Sequence, residues 1–97
     1  MAIKISTKVR NKLAAKNPPV THDEIQQCFA NRTGDFLFDD RADHLSDPPT
    51  RWFISETDYG RRLKIAFIFF EESGDIIIRT AYDPNVDEIQ IYNRLGR

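Results

Sequence analysis

DYGRRLKIAFIFFEESGDIIIRTAY, residues 58–82, is the stretch on which the fold turns. It reads as two strands joined by a tight turn at Glu72-Ser73-Gly74-Asp75, where Ser-Gly supplies the positive φ that short hairpin turns need. Along the first strand, Arg61 to Phe70, residues Leu63, Ile65, Phe67 and Phe69 point one way, and Arg62, Lys64, Ala66 and Ile68 the other. Successive side chains of a strand alternate between faces, so one face is apolar and the other starts out basic. The second strand, Asp75 to Tyr82, is rich in isoleucine and carries Arg79 near its end.

Outward from the hairpin, RWFISET (51–57) reads as a preceding strand with Trp52, Ile54 and Glu56 on one face and Arg51, Phe53 and Ser55 on the other. Asp58-Tyr59-Gly60 turns it into the hairpin. GDFLFD (34–39) is a short strand candidate, and the polar segment from Asp39 to Thr50, with Pro48-Pro49, reads as the longest loop. Upstream, Ile3 to Ile5 is a short extended lead-in. Ser6 or Thr7 to Lys16 follows a helical pattern, with Val9 and Leu13 on one face and Arg10, Lys12 and Lys16 on much of the rest. Asn17-Pro18-Pro19 ends it, because proline cannot continue the ladder. Thr21-His22-Asp23-Glu24 is a capping box with Val20 and Ile25 as its staple, opening a helix to about Ala30 that buries Ile25, Cys28 and Phe29. After Tyr82, Asp83-Pro84-Asn85 with Glu88 opens a last helix, with Val86, Ile89 and Tyr92 on one face and fraying near Gly96. The expectation is a single α+β domain over residues 1–97, with two N-terminal helices, a four-stranded antiparallel meander and a C-terminal helix, the helices packing on the sheet's apolar face.

The chain has 97 residues, 40% of them hydrophobic, which suits one small core rather than a disordered chain. Lys and Arg number 14 against 15 Asp and Glu, a net charge of -1, so nucleic-acid contact must come from a local basic patch. One cysteine, Cys28, rules out an internal disulfide and a thiolate zinc site. The N-terminus lacks the apolar run of a signal peptide, and Ile65 to Phe70 is too short to span a bilayer, so the expected location is the cytoplasm, with no membrane partner.

His22 and His44 lie far apart and fit no metal-ligand spacing, so no metal and no cofactor are expected; His22, in a first helical turn, should face solvent. Cys28 reads as a small buried thiol. Asp39-Asp40-Arg41-Ala42-Asp43-His44 is the densest titratable cluster, and it reads as a solvated loop more readily than as an acid–base pair. The basic set is the remaining candidate: Arg51 opens one strand, Arg61, Arg62 and Lys64 the next, and Arg79 sits near the end of the last. Antiparallel pairing lets Arg79 approach Arg62 or Lys64, while Arg51 joins them only if the register allows. Tyr59 and Tyr82 add phenols at that rim. Arginine and lysine on a sheet can grip phosphate and stabilise a phosphoryl transition state, or form an ordinary solvated face.

The series ISTKVRNKLAAKNPPVTHDEIQQCF, FLFDD, RWFISETDYGRRLKIAFIF and GDIIIRTAYDP resembles the BrnT-like toxin families of the RelE-like superfamily of small ribonuclease toxins. The shared features are two short helices with a turn before the second, the Gly60-Arg61-x-Leu63 strand start and the Ile78 to Tyr82 ending. The resemblance implies metal-independent RNA cleavage, with cations positioning phosphate and assisting attack by the ribose 2′-hydroxyl, and an antitoxin protein as partner. By position Arg61 and Arg79 match basic residues of the family's strands. The strand pattern then assigns Arg61, Arg62 and Arg51 to substrate binding, Arg79 as a phosphate contact at the catalytic end, and Lys64 and Tyr82 to proton transfer. Two positions depart from the pattern: Lys8 stands where many relatives have a histidine, and Tyr82 is followed by Asp83-Pro84 rather than a basic segment. Some small proteins of this pattern carry the name ADP-ribosyl-(dinitrogen reductase) hydrolase, an activity that resembles a much larger helical fold with a carboxylate-bound metal pair. The other expectation, from a different class, is a non-catalytic protein-binding module or homodimer.

Overall fold

A computed structural model describes residues 2–39 and 46–96. Strands β1 (Ile3–Lys4), β2 (Leu37–Phe38), β3 (Thr50–Glu56), β4 (Arg62–Phe70) and β5 (Asp75–Tyr82) form one sheet in the order β1-β5-β4-β3-β2. Helices α1 (Thr7–Ala14) and α2 (His22–Asn31) precede β2, and α3 (Val86–Leu95) follows β5. The α+β class is as expected, but the sheet is five-stranded and mixed rather than a four-stranded meander. The addition is β1, which pairs in parallel with β5, Ile3 opposite Ile76 and Lys4 opposite Ile77. Two residues are too few to show strand alternation, which is why this segment reads only as extended. Lys4 Nζ closes the edge on Asp75 at 2.9 Å.

The hairpin forms as its sequence dictates. Phe70 pairs with Asp75, and Gly74 takes φ 74° in the turn while its N–H donates to Phe70 O at 2.8 Å. Lys64 lies opposite Tyr82, and the register shifts between Ala66 and Phe67, whose partners are Thr80 and Ile78, so Arg79 is the extra residue of a bulge. Strand β2 is shorter than the 34–39 segment suggests, with Leu37 opposite Trp52 and Phe38 opposite Arg51.

Alternation then fixes the layers. Phe53, Leu63, Ile65, Phe67, Ile76 and Ile78 are buried on one face. There α2 brings Phe29 within 4.7 Å of the Phe53 ring and 5.3 Å of Phe67, and α1 buries Leu13 in the same cluster. Burying such side chains is the main favourable term, about 1.5–3 kcal/mol each. Trp52 points the opposite way, and its ring lies 5.7 Å from Tyr92 of α3. Helix α3 therefore packs on the face that carries Arg62 and Lys64, which corrects the expectation of helices on one face only. That face is basic only at its start; Trp52, Ala66 and Ile68 leave apolar surface that needs a cover. Along α3, Tyr92 is buried at 8% exposure while Val86 stays 68% exposed, so the covering face runs through Glu88 and Tyr92 rather than Val86.

Both capping boxes form. Thr21 Oγ1 accepts from Glu24 N at 3.2 Å while Thr21 N donates to Glu24 Oε1 at 3.0 Å. Asn85 and Glu88 make the same reciprocal pair at 2.8 and 3.0 Å. Among the described residues no helix is long and apolar enough to cross a membrane. The acidic stretch 40–45, including His44, lies outside the described residues.

Candidate active site

Three residues from three elements meet beneath α3. Lys64 of β4 and Tyr82 of β5 are cross-strand partners on one face. Glu88 lies one turn into α3 and reaches down to both. Its Oε2 accepts from Lys64 Nζ at 2.6 Å and from the Tyr82 hydroxyl at 2.5 Å, while Oε1 caps the helix. The side chains of Lys64 and Glu88 are 9% and 16% exposed, so this ion pair is largely withdrawn from water. Trp52 adds its ring 4.5 Å from the Lys64 ammonium, a cation–π contact on the floor of the sheet.

Electrostatics divide the roles of this cluster. Burial raises the Tyr82 phenol above its ordinary value, and its bond to the Glu88 carboxylate adds to that rise. Burial would also raise Glu88, but hydrogen bonds from Lys64, Tyr82 and the Asn85 N–H outweigh it and hold the carboxyl low. At neutral pH the cluster is an ionised carboxylate sharing one oxygen between a protonated phenol and an ammonium. A carboxylate can accept a proton and a phenol can give one, although both shifts move these groups away from neutral pH, where general acid–base groups work best.

Lys64 and Glu88 also line a cleft of about 330 Å³ between α3 and the β2–β3 edge, with Leu37, Phe38, Trp52 and Leu95 as its apolar walls. A larger, more polar hollow of about 620 Å³ lies at the end of β3, around Asn31, Glu56, Asp58 and Arg62, and reaches Ile54, Ile89 and Asn93 on the other side of α3.

The arginines that the strand pattern singles out are held elsewhere. Arg61 clamps the loop before α2: its guanidinium donates to Pro19 O at 2.7 Å and Pro18 O at 3.0 Å, and sits 3.4 Å from Glu24 and 3.2 Å from Asp83. Arg62 lies 3.8 Å from Glu56. Arg51 is at the opposite end of the sheet, between the rings of Phe38 and Phe69 and 3.9 Å from Glu71. Tyr82, not Arg79, stands across from Lys64; Arg79 is exposed at the bulge, three residues back along β5. Of the six residues named from the sequence, only Lys64 and Tyr82 come together.

Glu88 escaped the sequence reading as a chemical group. Its visible signal was the capping box with Asn85, and that role occupies only one carboxylate oxygen. His22 is partly buried rather than solvent-facing, and its Nε2 has no hydrogen-bond partner among the described residues. Cys28 is fully buried, and desolvation pushes its thiol up from 9.0 to about 12, which leaves it neutral and unreactive at physiological pH. Among the described residues no group of three or more His, Cys, Asp or Glu gathers closely enough to hold a metal ion. Comparison with protein-family models, with curated proteins and with solved structures finds no match for this chain.

Proposed function

We propose that this chain is a toxin-like module that acts on RNA without a metal, as an endoribonuclease or a degenerate relative of one, of the type that pairs with an antitoxin. The observation that carries the reading is the shared carboxylate oxygen of Glu88, bonded to Tyr82 and Lys64 at the end of an aromatic cleft. In this reading a phosphodiester enters from the cleft with a base against Trp52. Glu88 accepts the proton of the ribose 2′-hydroxyl as that oxygen attacks phosphorus. The bond from phosphorus to the 5′ oxygen breaks, and Tyr82 returns a proton to the leaving oxygen. Lys64 stabilises charge on the non-bridging oxygens. The products are a 2′,3′-cyclic phosphate and a 5′-hydroxyl.

Induced expression of the wild-type chain should slow growth and leave RNA fragments with 5′-hydroxyl ends, and Glu88→Gln should abolish both. Undisturbed growth with intact RNA under wild-type expression sinks the endoribonuclease reading.

A second reading, a protein-binding module or homodimer, is favoured by Phe38 and Leu95, each 58% exposed, and Ile91, 37% exposed, around the cleft mouth. It predicts a dimer by light scattering that Leu95→Asp converts to monomer. A concentration-independent monomer argues against the homodimer.

A further inference from the structure

Among the described residues most side-chain cations without an ion pair lie off the strands, Arg79 of β5 being the exception. Among the described residues the side chains of Lys8, Arg10, Lys12, Arg79 and Arg94 are exposed and make no ion pair or hydrogen bond. The first helix holds no acidic residue at all in TKVRNKLA. The sequence from Met1 to Thr21 carries Lys4, Lys8, Arg10, Lys12 and Lys16 before its first acid, Asp23, so the net charge of -1 conceals a basic N-terminal surface.

The geometry of α1 sorts these side chains into two flanks. Val9 and Leu13 face the core. Arg10 lines the hollow shared with Thr21 and His22, on the side of α2. Lys16 lies just past the C-cap residue, Ala15, in a bend, and its N–H donates to Leu13 O at 3.3 Å. Its ammonium lies 5.7 Å from the Tyr82 ring. Lys8 and Lys12 are four apart on α1, a step of about 6 Å on the flank away from α2, and Lys16 continues this ridge just past the helix end toward Tyr82. That spacing is comparable to the step between neighbouring phosphates of a nucleic-acid strand. The ridge also borders an open strand edge, because β1 ends at Lys4 opposite Ile77 and leaves Arg79 to Tyr82 without a partner on that side.

The geometry points to the Lys8–Lys12–Lys16 ridge as the track for the sugar–phosphate backbone of single-stranded RNA, delivering it to the ring of Tyr82. This rests on the RNA-directed reading above and gives that reading a binding surface distinct from the strand arginines. Charge complementarity selects the occupant: a row of unpaired lysines ending on an aromatic ring is the combination that grips phosphates and stacks a base. Neutralising phosphates releases counterions, so binding through the ridge must weaken with salt at about 0.7 decades per contact for a single strand.

The test is fluorescence anisotropy of a labelled oligouridylate titrated with wild type, Lys12→Gln, the triple variant Lys8→Gln/Lys12→Gln/Lys16→Gln, and Arg94→Gln as a control of equal charge on α3. Circular dichroism checks that each is folded, as substitutions at exposed Lys8, Lys12 and Arg94 and half-buried Lys16 should leave it. Wild type should bind near about 50 mM salt, with the triple variant losing about 2 from the magnitude of its log–log salt slope. Arg94→Gln should bind as wild type does, while Lys12→Gln is weaker. An unchanged slope in the triple variant, or equal weakening by Arg94→Gln and Lys12→Gln, overturns the ridge while leaving the RNA-directed reading standing if wild type still binds and cleaves. Failure of folded wild type both to bind and to cleave removes the two together.

Discussion

At the residue scale the burden falls on Glu88, which caps α3 with one oxygen and holds Lys64 and Tyr82 with the other. Removing one member of a withdrawn ion pair strands its partner. Lys64→Ala should therefore lower unfolding free energy in urea by about 3 kcal/mol, while Lys64→Met, which keeps the volume but not the charge, retains more packing. Tyr82→Phe, which removes one hydrogen bond to a carboxylate, should cost about 1.5 kcal/mol. Cys28 offers an independent check: alkylation should be slow in the folded protein and fast in denaturant, and rapid native labelling would contradict a thiol raised to about 12. Lys64 and Tyr82 were legible from the sequence because strand alternation and antiparallel pairing place them on one face near one end. Glu88 was legible only as a cap, because nothing local says which way the second oxygen of a helical glutamate points.

Elements were read from the sequence more securely than their arrangement. Two capping boxes, one hairpin and a proline stop set the helix starts and strand ends, since each is a local hydrogen-bonding rule. Strand β1 was missed as a strand because parallel pairing over two residues leaves no periodic trace. The placement of α3 was missed because Arg62 and Lys64 made their face look solvated, whereas Lys64 is neutralised and covered by α3 itself. Arg61 is the clearest case of a residue whose role depends on distant chain: Pro18, Pro19, Glu24 and Asp83 all converge on its guanidinium. Arg61→Lys cannot satisfy that fork, so both Arg61→Lys and Arg61→Ala should destabilise, the latter by about 2 kcal/mol, as read from the denaturation midpoint. Thr21→Ala should cost about 1 kcal/mol through loss of the α2 cap.

For the whole molecule, charge and acidity are the global readouts. Glu88 is held below its ordinary value of 4.5, and Asp75 is held below its own by Lys4. A depressed carboxyl contributes stability above its unfolded pKa and loses it as pH falls through the folded one. Thermal midpoints should thus drop below about pH 4.5, and Glu88→Gln should flatten that drop. The raised phenol of Tyr82 works in the opposite direction, its contribution being complete below pH 10.0 and declining as pH rises beyond it. Net charge alone left only a local patch for a polyanion, and a sum over the chain hides where it is: the acid-free stretch before Asp23.

The most direct measurement is the cleavage of end-labelled RNA in excess chelator by equal folded concentrations of wild type and Glu88→Gln. The account predicts wild-type fragments ending in cyclic phosphate and a loss of at least about 10²-fold in the variant. Intact RNA with folded wild type, or equal rates for the two proteins, would contradict it.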